Sequence, residues 1–373
     1  MAADDVVTRT VPKVAIACQG GGSHTAFTAG VLDEVLSGSG LGRDYRLVGL
    51  SGSSGGAICA LLAWHGLLQH AAQPRVTGVR AAAALRAFWA DNAATDWWDW
   101  LSNQYLVAFR RFQDAGLFGQ VSPPPVLQRV AQDALRGLIE RHVDFDRLPS
   151  LLEATPDHPT LLFGAVEAIS GGFAVFEECC PDPTWRRLAD GDVPPSISVQ
   201  TVLASSAVPP GLPAVEIGGA VYWDGLYAYN PPIRALLDRP IADRPDEIWV
   251  IQVDPSAAPH EPRSLPEILE RQAQLTANLS LNGELHWIRQ VNRWLHDGRL
   301  PTAEFKPVRT ARIEMSALVG SRRSLASKVD RSPFHLNNLI AEGREQAAGF
   351  LRRRAEGDES CWESPFPHRL GRT

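Results

Sequence analysis

A serine set between glycines is the first feature with chemical meaning. Gly52-Ser53-Ser54-Gly55-Gly56 fits G-x-S-x-G with Ser54 at its centre, the pattern of a nucleophilic serine on a strained strand-to-helix turn. The spacing has a steric reason, since side chains at Gly52 or Gly56 would collide with the neighbouring strand and helix. The helix that follows adds partial positive charge close to an alkoxide formed there. Glycine and serine crowd many loops, so the pattern gains its meaning from standing after a buried strand and before a helix.

Two further features complete the requirements of acyl transfer. Gly20-Gly21-Gly22 ends a second apolar run at the entrance of a helix, where N–H groups free of side chains can face a developing oxyanion. A phosphate loop is the competing reading, but Gly20-x-Gly22-x-x-Thr25 lacks the third glycine of a dinucleotide fingerprint, and no Gly-Lys-Ser/Thr follows. Asp224-Gly225 closes a short strand ahead of Asn230-Pro231-Pro232, so the Asp224 carboxylate could emerge at the same rim as Ser54. Alone, Asp-Gly reads as an ordinary turn.

In this order the motifs resemble the patatin-like phospholipase family, over a span from about Lys13 to Arg353. Four stations carry the resemblance: the glycine loop, the G-x-S-x-G, the stretch Ala204-Ser205-Ser206-Ala207-Val208-Pro209, and Asp224-Gly225 with its Asn-Pro-Pro. The resemblance implies that Ser54 is the nucleophile and Asp224 a base that activates it without histidine. Gly20, Gly21 and Gly22 become oxyanion donors, and Gly52 and Gly56 frame the elbow. It further implies phospholipid, lysophospholipid or related acyl-ester substrates, peripheral membrane contact, and no metal or other cofactor. The chain departs from the family pattern in three places. His24 and Thr25 replace the usual Arg-Gly of the glycine loop, Gly55 stands where alanine is frequent, and Leu226 follows Asp224-Gly225 in place of glycine or alanine.

A carboxylate is a weak base toward a hydroxyl. The chemistry therefore requires Asp224 to be buried, poorly solvated and in direct hydrogen-bond reach of Ser54, its basicity raised by desolvation. One rival is an α/β-hydrolase triad, in which His260, His286, His296 or His335 would serve after Asp224. Another is a non-catalytic lipid or dinucleotide binder on a parallel sheet. There is no H-E-x-x-H, and His286 and His296 read as surface or packing residues.

The elements that must hold these residues follow from hydrophobic periodicity. Val11 to Cys18 and Tyr45 to Leu50 read as buried strands, and helices follow at Thr25 to Leu36, with Phe27, Val31, Leu32 and Val35 on one face, and at Ala57 to Leu68. That alternation predicts an α/β fold, a mostly parallel central sheet flanked by helices in three α/β/α layers. Residues 86–145 break it and read as an inserted helical cap. There Trp98, Leu101, Tyr105, Phe109 and Phe112 form one aromatic stripe behind an Asp96 N-cap, either core-facing or an apolar lid or interfacial helix. Strands resume at Pro159 to Val166, Phe173 to Phe176, Ala214 to Ile217, Ala220 to Trp223 and Ile248 to Val253. From Leu265 the pattern is mostly helical, ending with Pro333 to Arg353. The expected organisation is a single domain over 8–355 and a loosely ordered tail over 356–373.

Composition sets the outer bounds. With 45% hydrophobic and 21% charged residues among 373, the chain can build a large core, which excludes disorder. The formal charge of −6 argues against nucleic acid as a partner. Arg309, Arg312, Arg322, Arg323 and Lys328 nevertheless form a basic stretch, read as solvated surface or as a contact for anionic head groups. Five cysteines, including adjacent Cys179 and Cys180, lack Cys-x-x-Cys spacing and fit a reducing cytosol. An acidic N-terminus, a first apolar run too short for a secretory segment, and no bilayer-length apolar stretch complete the expectation of a cytoplasmic protein.

Overall fold

Along β1 (Lys13–Cys18), Val14, Ile16 and Cys18 alternate with Ala15 and Ala17, and both sets are buried, as a central parallel strand covered on two faces requires. The computed structural model describes residues 11–71, 74–116, 123–178, 196–320 and 324–364. Its sheet has eight strands: β1, β2 (Arg46–Gly52), β3 (Thr160–Glu167), β4 (Phe173–Glu178), β5 (Val215–Ile217), β6 (Ala220–Asp224), β7 (Glu247–Gln252) and β8 (Arg309–Glu314). They lie in the order β5-β6-β3-β2-β1-β7-β8, with β4 beside β3. The pairings from β3 through β2, β1 and β7 to β8 are parallel, and those of β3–β4, β3–β6 and β5–β6 are antiparallel.

The helices are α1 (Ala26–Ser37), α2 (Gly55–His70), α3 (Pro74–Asn92), α4 (Trp97–Asp114), α5 (Pro125–His142), α6 (Leu148–Ala154), α7 (Val199–Ser205), α8 (Leu265–His296), α9 (Ala317–Gly320) and α10 (Pro333–Ala355). One sheet face packs on α1, α2 and α10, with α3 against α1 and α2, through a core that includes Phe27, Trp64, Trp249 and Phe350. Asp33, buried on α1, pairs with Arg86 of α3 and Arg344 of α10 and so joins the three helices. On the other face Leu281, Leu285 and Ile288 of α8 cover Ala15, Ala17, Leu162 and Val250. This is the expected three-layer α/β/α arrangement.

One detail of register positions the site. β4 occupies one edge of β3, and the other edge is shared: β2 pairs with its first half, ending at Gly52 opposite Phe163, and β6 pairs with its last residues, with Asp224 opposite Ala165. Asp224 therefore lies two residues beyond Gly52 along the same edge, about 7 Å of strand rise. That is the level at which the chain from β2 reaches Ser54.

Two expectations change. The segment read as helical after Leu265 contains β8, which pairs parallel with β7. Its charged Arg309 and Arg312 hid an edge strand, because each guanidinium is paired off the sheet face: Arg309 with Glu359 and over the Trp362 ring, Arg312 with Glu363. Lys328 is likewise tied to Asp254. These three charges are thus engaged within the fold, and Arg322 and Arg323 lie outside the described residues. Glu363 also accepts Arg289, and Cys361 is buried, so the start of the segment expected as a tail docks on β8 and α8; residues 365–373 lie outside the described residues.

The aromatic stripe takes the outward of its two readings. Asp96 does cap α4, accepting from the N–H groups of Trp98 and Asp99. The helix, however, turns its polar side inward: Asn103, Val107 and Asp114 are buried, whereas Trp98, Leu101, Tyr105 and Phe112 are exposed. The inward side chains explain this orientation, since Asn103 bonds Asp330 and the Arg331 N–H while Asp99 pairs with Arg331.

Candidate active site

β2 delivers Ser54 to the first turn of α2 with φ 55° and ψ −132°, the one positive-φ residue other than glycine among those described. A side chain held there costs about 1–3 kcal/mol, and the glycines around it are sterically enforced. A Cβ on Gly56 would stand 2.3 Å from Cys18 O, and one on Gly52 would stand 2.5 Å from the Gly56 backbone. The elbow is thus clamped against the end of β1.

The end of α7 ties Ser54 and Asp224 together. The Ser54 N–H donates to Ser205 O at 2.9 Å and approaches Ser205 Oγ at 3.2 Å, while the Ser205 hydroxyl donates to Gly164 O at 2.7 Å. Two residues further on, Ala207 O accepts the Asp224 N–H at 2.8 Å. The stretch Ala204–Pro209 noted in the sequence is therefore a brace between the two candidate residues. Gly225 completes it: a Cβ there would lie 2.4 Å from Gly164 O, so Asp224 can approach β3 only with glycine behind it.

Asp224 is fully buried. Its Oδ1 accepts the Leu226 N–H at 2.8 Å, and its Oδ2 has no hydrogen-bond partner among the described residues. Burial pushes its pKa up to about 7, with the Leu226 N–H and the Ser54 hydroxyl pulling the other way. Ser54 is thus near enough to favour the carboxylate without making a full hydrogen bond to it.

The glycine loop passes directly over the elbow, because a Cβ on Gly20 would meet Ser54 Cβ at 2.8 Å. Gly20 differs from the expectation in one respect: its N–H donates to Asn230 Oδ1 at 2.7 Å and is not free. Among the described residues the N–H groups of Gly21 and Gly22 meet no acceptor, nor does that of Gly55, the position after the serine. Asn230 is buried and fixed in turn by Ser280 Oγ and Ala277 O of α8. The sequence showed Asn230 only as part of Asn-Pro-Pro and did not show Gly55 as a donor; contacts across 210 residues of chain leave no local signal.

Two of the departures from the family pattern explain each other. A Cβ on Gly55 would lie 2.3 Å from Thr25 Oγ1, whose hydroxyl donates to Gly22 O at 2.7 Å. Threonine in the loop occupies the space that alanine would take in the elbow. His24 is buried, with Nε2 2.7 Å from Ser327 Oγ, so its ring points to the segment behind the loop. Among the described residues no histidine hydrogen-bonds Ser54 or Asp224. His260 is exposed, 4.0 Å from Glu267, and the His335 ring is 6.0 Å from that of His24. No group of three or more His, Cys, Asp or Glu among the described residues could hold a metal ion.

A cavity of about 1000 Å³ lies at the opposite end of the sheet, lined by Tyr45, Glu247, Arg309, Arg354 and Trp362. Its Arg354 and Arg309 are paired with Glu247 and Glu359.

A model of the patatin-like phospholipase family matches residues 16–237, which contain the glycine loop, the elbow, the α7 brace, Asp224 and Asn230. No curated protein matches. Solved structures that match include VipD from Legionella pneumophila, at 12% identity and a TM-score of 0.39, covering 91% of this chain and 66% of that one. The chain thus spans just under two thirds of that protein's length.

Proposed function

The chain belongs to the patatin-like phospholipase family, and from that premise we propose that it is a serine acyl hydrolase cleaving carboxylic esters of phospholipids, lysophospholipids or related acyl lipids through Ser54 and Asp224. One observation carries the reading: a fully buried carboxylate with its Oδ2 unpartnered beside a serine on a strained elbow. An acceptor left without a donor in an apolar setting costs stability, and the fold retains it where a proton must be taken up.

In the mechanism Asp224 Oδ2 takes the Ser54 proton as Oγ attacks the ester carbonyl. The N–H groups of Gly21 and Gly22, with Gly55, receive the oxyanion, and the N-terminus of α2 favours the same negative charge. Collapse breaks the carbonyl–oxygen bond, and Asp224 returns its proton to the departing alcohol. Water then loses a proton to Asp224, attacks the acyl-serine and releases the carboxylic acid and Ser54. A carboxyl pushed up to about 7 suits this exchange better than an ordinary one, because general-base efficiency peaks when the pKa lies near the working pH. Free, buried Cys18, Cys59 and Cys361 support placing this chemistry in a reducing compartment such as the cytoplasm, and no helix among the described residues is long and apolar enough to cross a membrane.

Fluorophosphonate labelling tests the reading. Intact-mass analysis should find one adduct, at Ser54, formed more slowly in Asp224→Asn and absent in Ser54→Ala. Labelling at another serine, or at equal rates with and without Asp224, would remove the assignment.

A further inference from the structure

α4 is an amphipathic helix mounted with its apolar side away from the protein. Asp99, Asn103 and Val107 recur every four residues and face the body, whereas Trp98, Leu101 and Tyr105 lie on the opposite side of the turn and are exposed, Trp98 by 74% and Tyr105 by 72%. A helix normally buries such a stripe, and large exposed apolar surfaces on folded proteins mark interaction sites. The stripe does not stand alone. On α8, Leu265, Ile268, Leu275 and Leu279 share one helical face and are exposed as well, and Leu265 reaches the C-terminal end of α4 at Gly116.

This surface is joined to the candidate site. α4 packs on residues 326–329, held by Asn103 on Asp330 and by Asp99 on Arg331. That segment braces the glycine loop: a Cβ on Gly22 would lie 2.4 Å from Lys328 O, and Ser327 holds His24. On the inner side of α8, opposite this row, the Ala277 carbonyl accepts from Gln19 and Asn230.

The chemistry of the face selects its occupant. Every acid of α4 is engaged: Asp96 caps the helix, Asp99 pairs with Arg331 and Asp114 with Arg110. Arg111 forms no ion pair among the described residues, so the helix offers indole and phenol rings together with a cation. Tryptophan and tyrosine prefer the depth at which acyl chains meet head groups, and a cation there meets lipid phosphate.

We infer that the outward face of α4 and the Leu265–Leu279 row of α8 form the surface on which this protein lies on an aggregated lipid, with Trp97, Trp98 and Tyr105 at head-group depth. The choice of lipid over protein rests in part on the hydrolase reading; the surface itself rests on the exposure. Docking by this face brings the braced glycine loop, and with it Ser54, toward the lipid layer.

Co-sedimentation of the full chain with vesicles of mixed phosphatidylcholine and phosphatidylglycerol is the test, alongside turnover of a water-soluble p-nitrophenyl ester. Wild type should sediment with the vesicles, and Trp98→Asp/Tyr105→Asp should weaken binding by about tenfold or more with soluble-ester turnover unchanged. Leu279→Asp should act in the same direction, and Val79→Asp, exposed on α3, should bind as wild type does. The inference is overturned if wild type stays in the supernatant or the double variant binds equally well. It is also overturned if analytical ultracentrifugation shows that the face closes a dimer which the variants dissociate. Vesicle binding lost in the variants of a chain without esterase activity would support the surface and count against the hydrolase reading, so the two can fail separately.

Discussion

The Gly20 N–H donates a 2.7 Å hydrogen bond to Asn230 Oδ1, joining the loop above Ser54 to the segment that follows Asp224. In the proposed mechanism this bond steadies the loop whose Gly21 and Gly22 N–H groups receive the oxyanion. Asn230→Ala should lower kcat for a soluble ester by about 10- to 100-fold, or about 1.4–2.7 kcal/mol, with a smaller change in KM. Steady-state kinetics below the melting temperature of the variant measure this; an unchanged kcat in a folded variant would show that the loop holds its shape alone.

Burial of Asp224 makes stability and activity depend on pH in opposite senses. Its folded pKa of about 7 lies above the ordinary carboxyl value of 3.8, so between the two the folded state binds the extra proton. Stability from this group is therefore present at low pH, falls as pH rises from about 4 to about 7, and stays lowered above that. In the proposed mechanism activity requires the ionised form, so it should rise over the upper part of the same window. Asp224→Asn should be more stable than wild type at pH 8, by on the order of a few kcal/mol, and so melt higher, and this advantage should vanish near pH 4. Glu284, also pushed up to about 7 by burial while accepting the Ile233 N–H, adds the same slope. Melting curves of wild type, Asp224→Asn and Glu284→Gln across pH check the sign.

Thr25 and Gly55 should behave as a coupled pair. Gly55→Ala drives a Cβ into Thr25 Oγ1 and should cost about 1–3 kcal/mol. Adding Thr25→Ala should recover much of that loss, giving a coupling energy of about 1 kcal/mol or more by double-mutant cycle. Gly56→Ala, directed at the Cys18 carbonyl, should find no relief from Thr25→Ala. Additive losses at 25 and 55 would contradict the shared-volume account.

The central sheet and its helices were legible because β1 and β2 are apolar runs bounded by glycine, a signal that acts within a few residues. β8 was not, because Arg309 and Arg312 are neutralised by Glu359 and Glu363, some fifty residues later in the chain. At the site, Ser54 could be named from its flanking glycines, whereas Asp224 stood out only in company with the other motifs, whose order resembles the family's; the glycines at 56 and 225 are forced by carbonyls at 2.3 and 2.4 Å. That the Gly20 N–H is taken by Asn230 was invisible, being a contact between distant segments. The aromatic stripe of α4 was visible as a stripe, but its direction depends on Asp330 and Arg331 receiving its polar side, which periodicity alone does not encode.

The most direct measurement is hydrolysis of a short-chain p-nitrophenyl ester by wild type, Ser54→Ala, Asp224→Asn and His335→Ala, each shown by circular dichroism to be folded. The Ser54–Asp224 account predicts turnover in wild type and His335→Ala, and losses of about 1000-fold or more in the other two. Full activity in Asp224→Asn, or its abolition in His335→Ala, would contradict it.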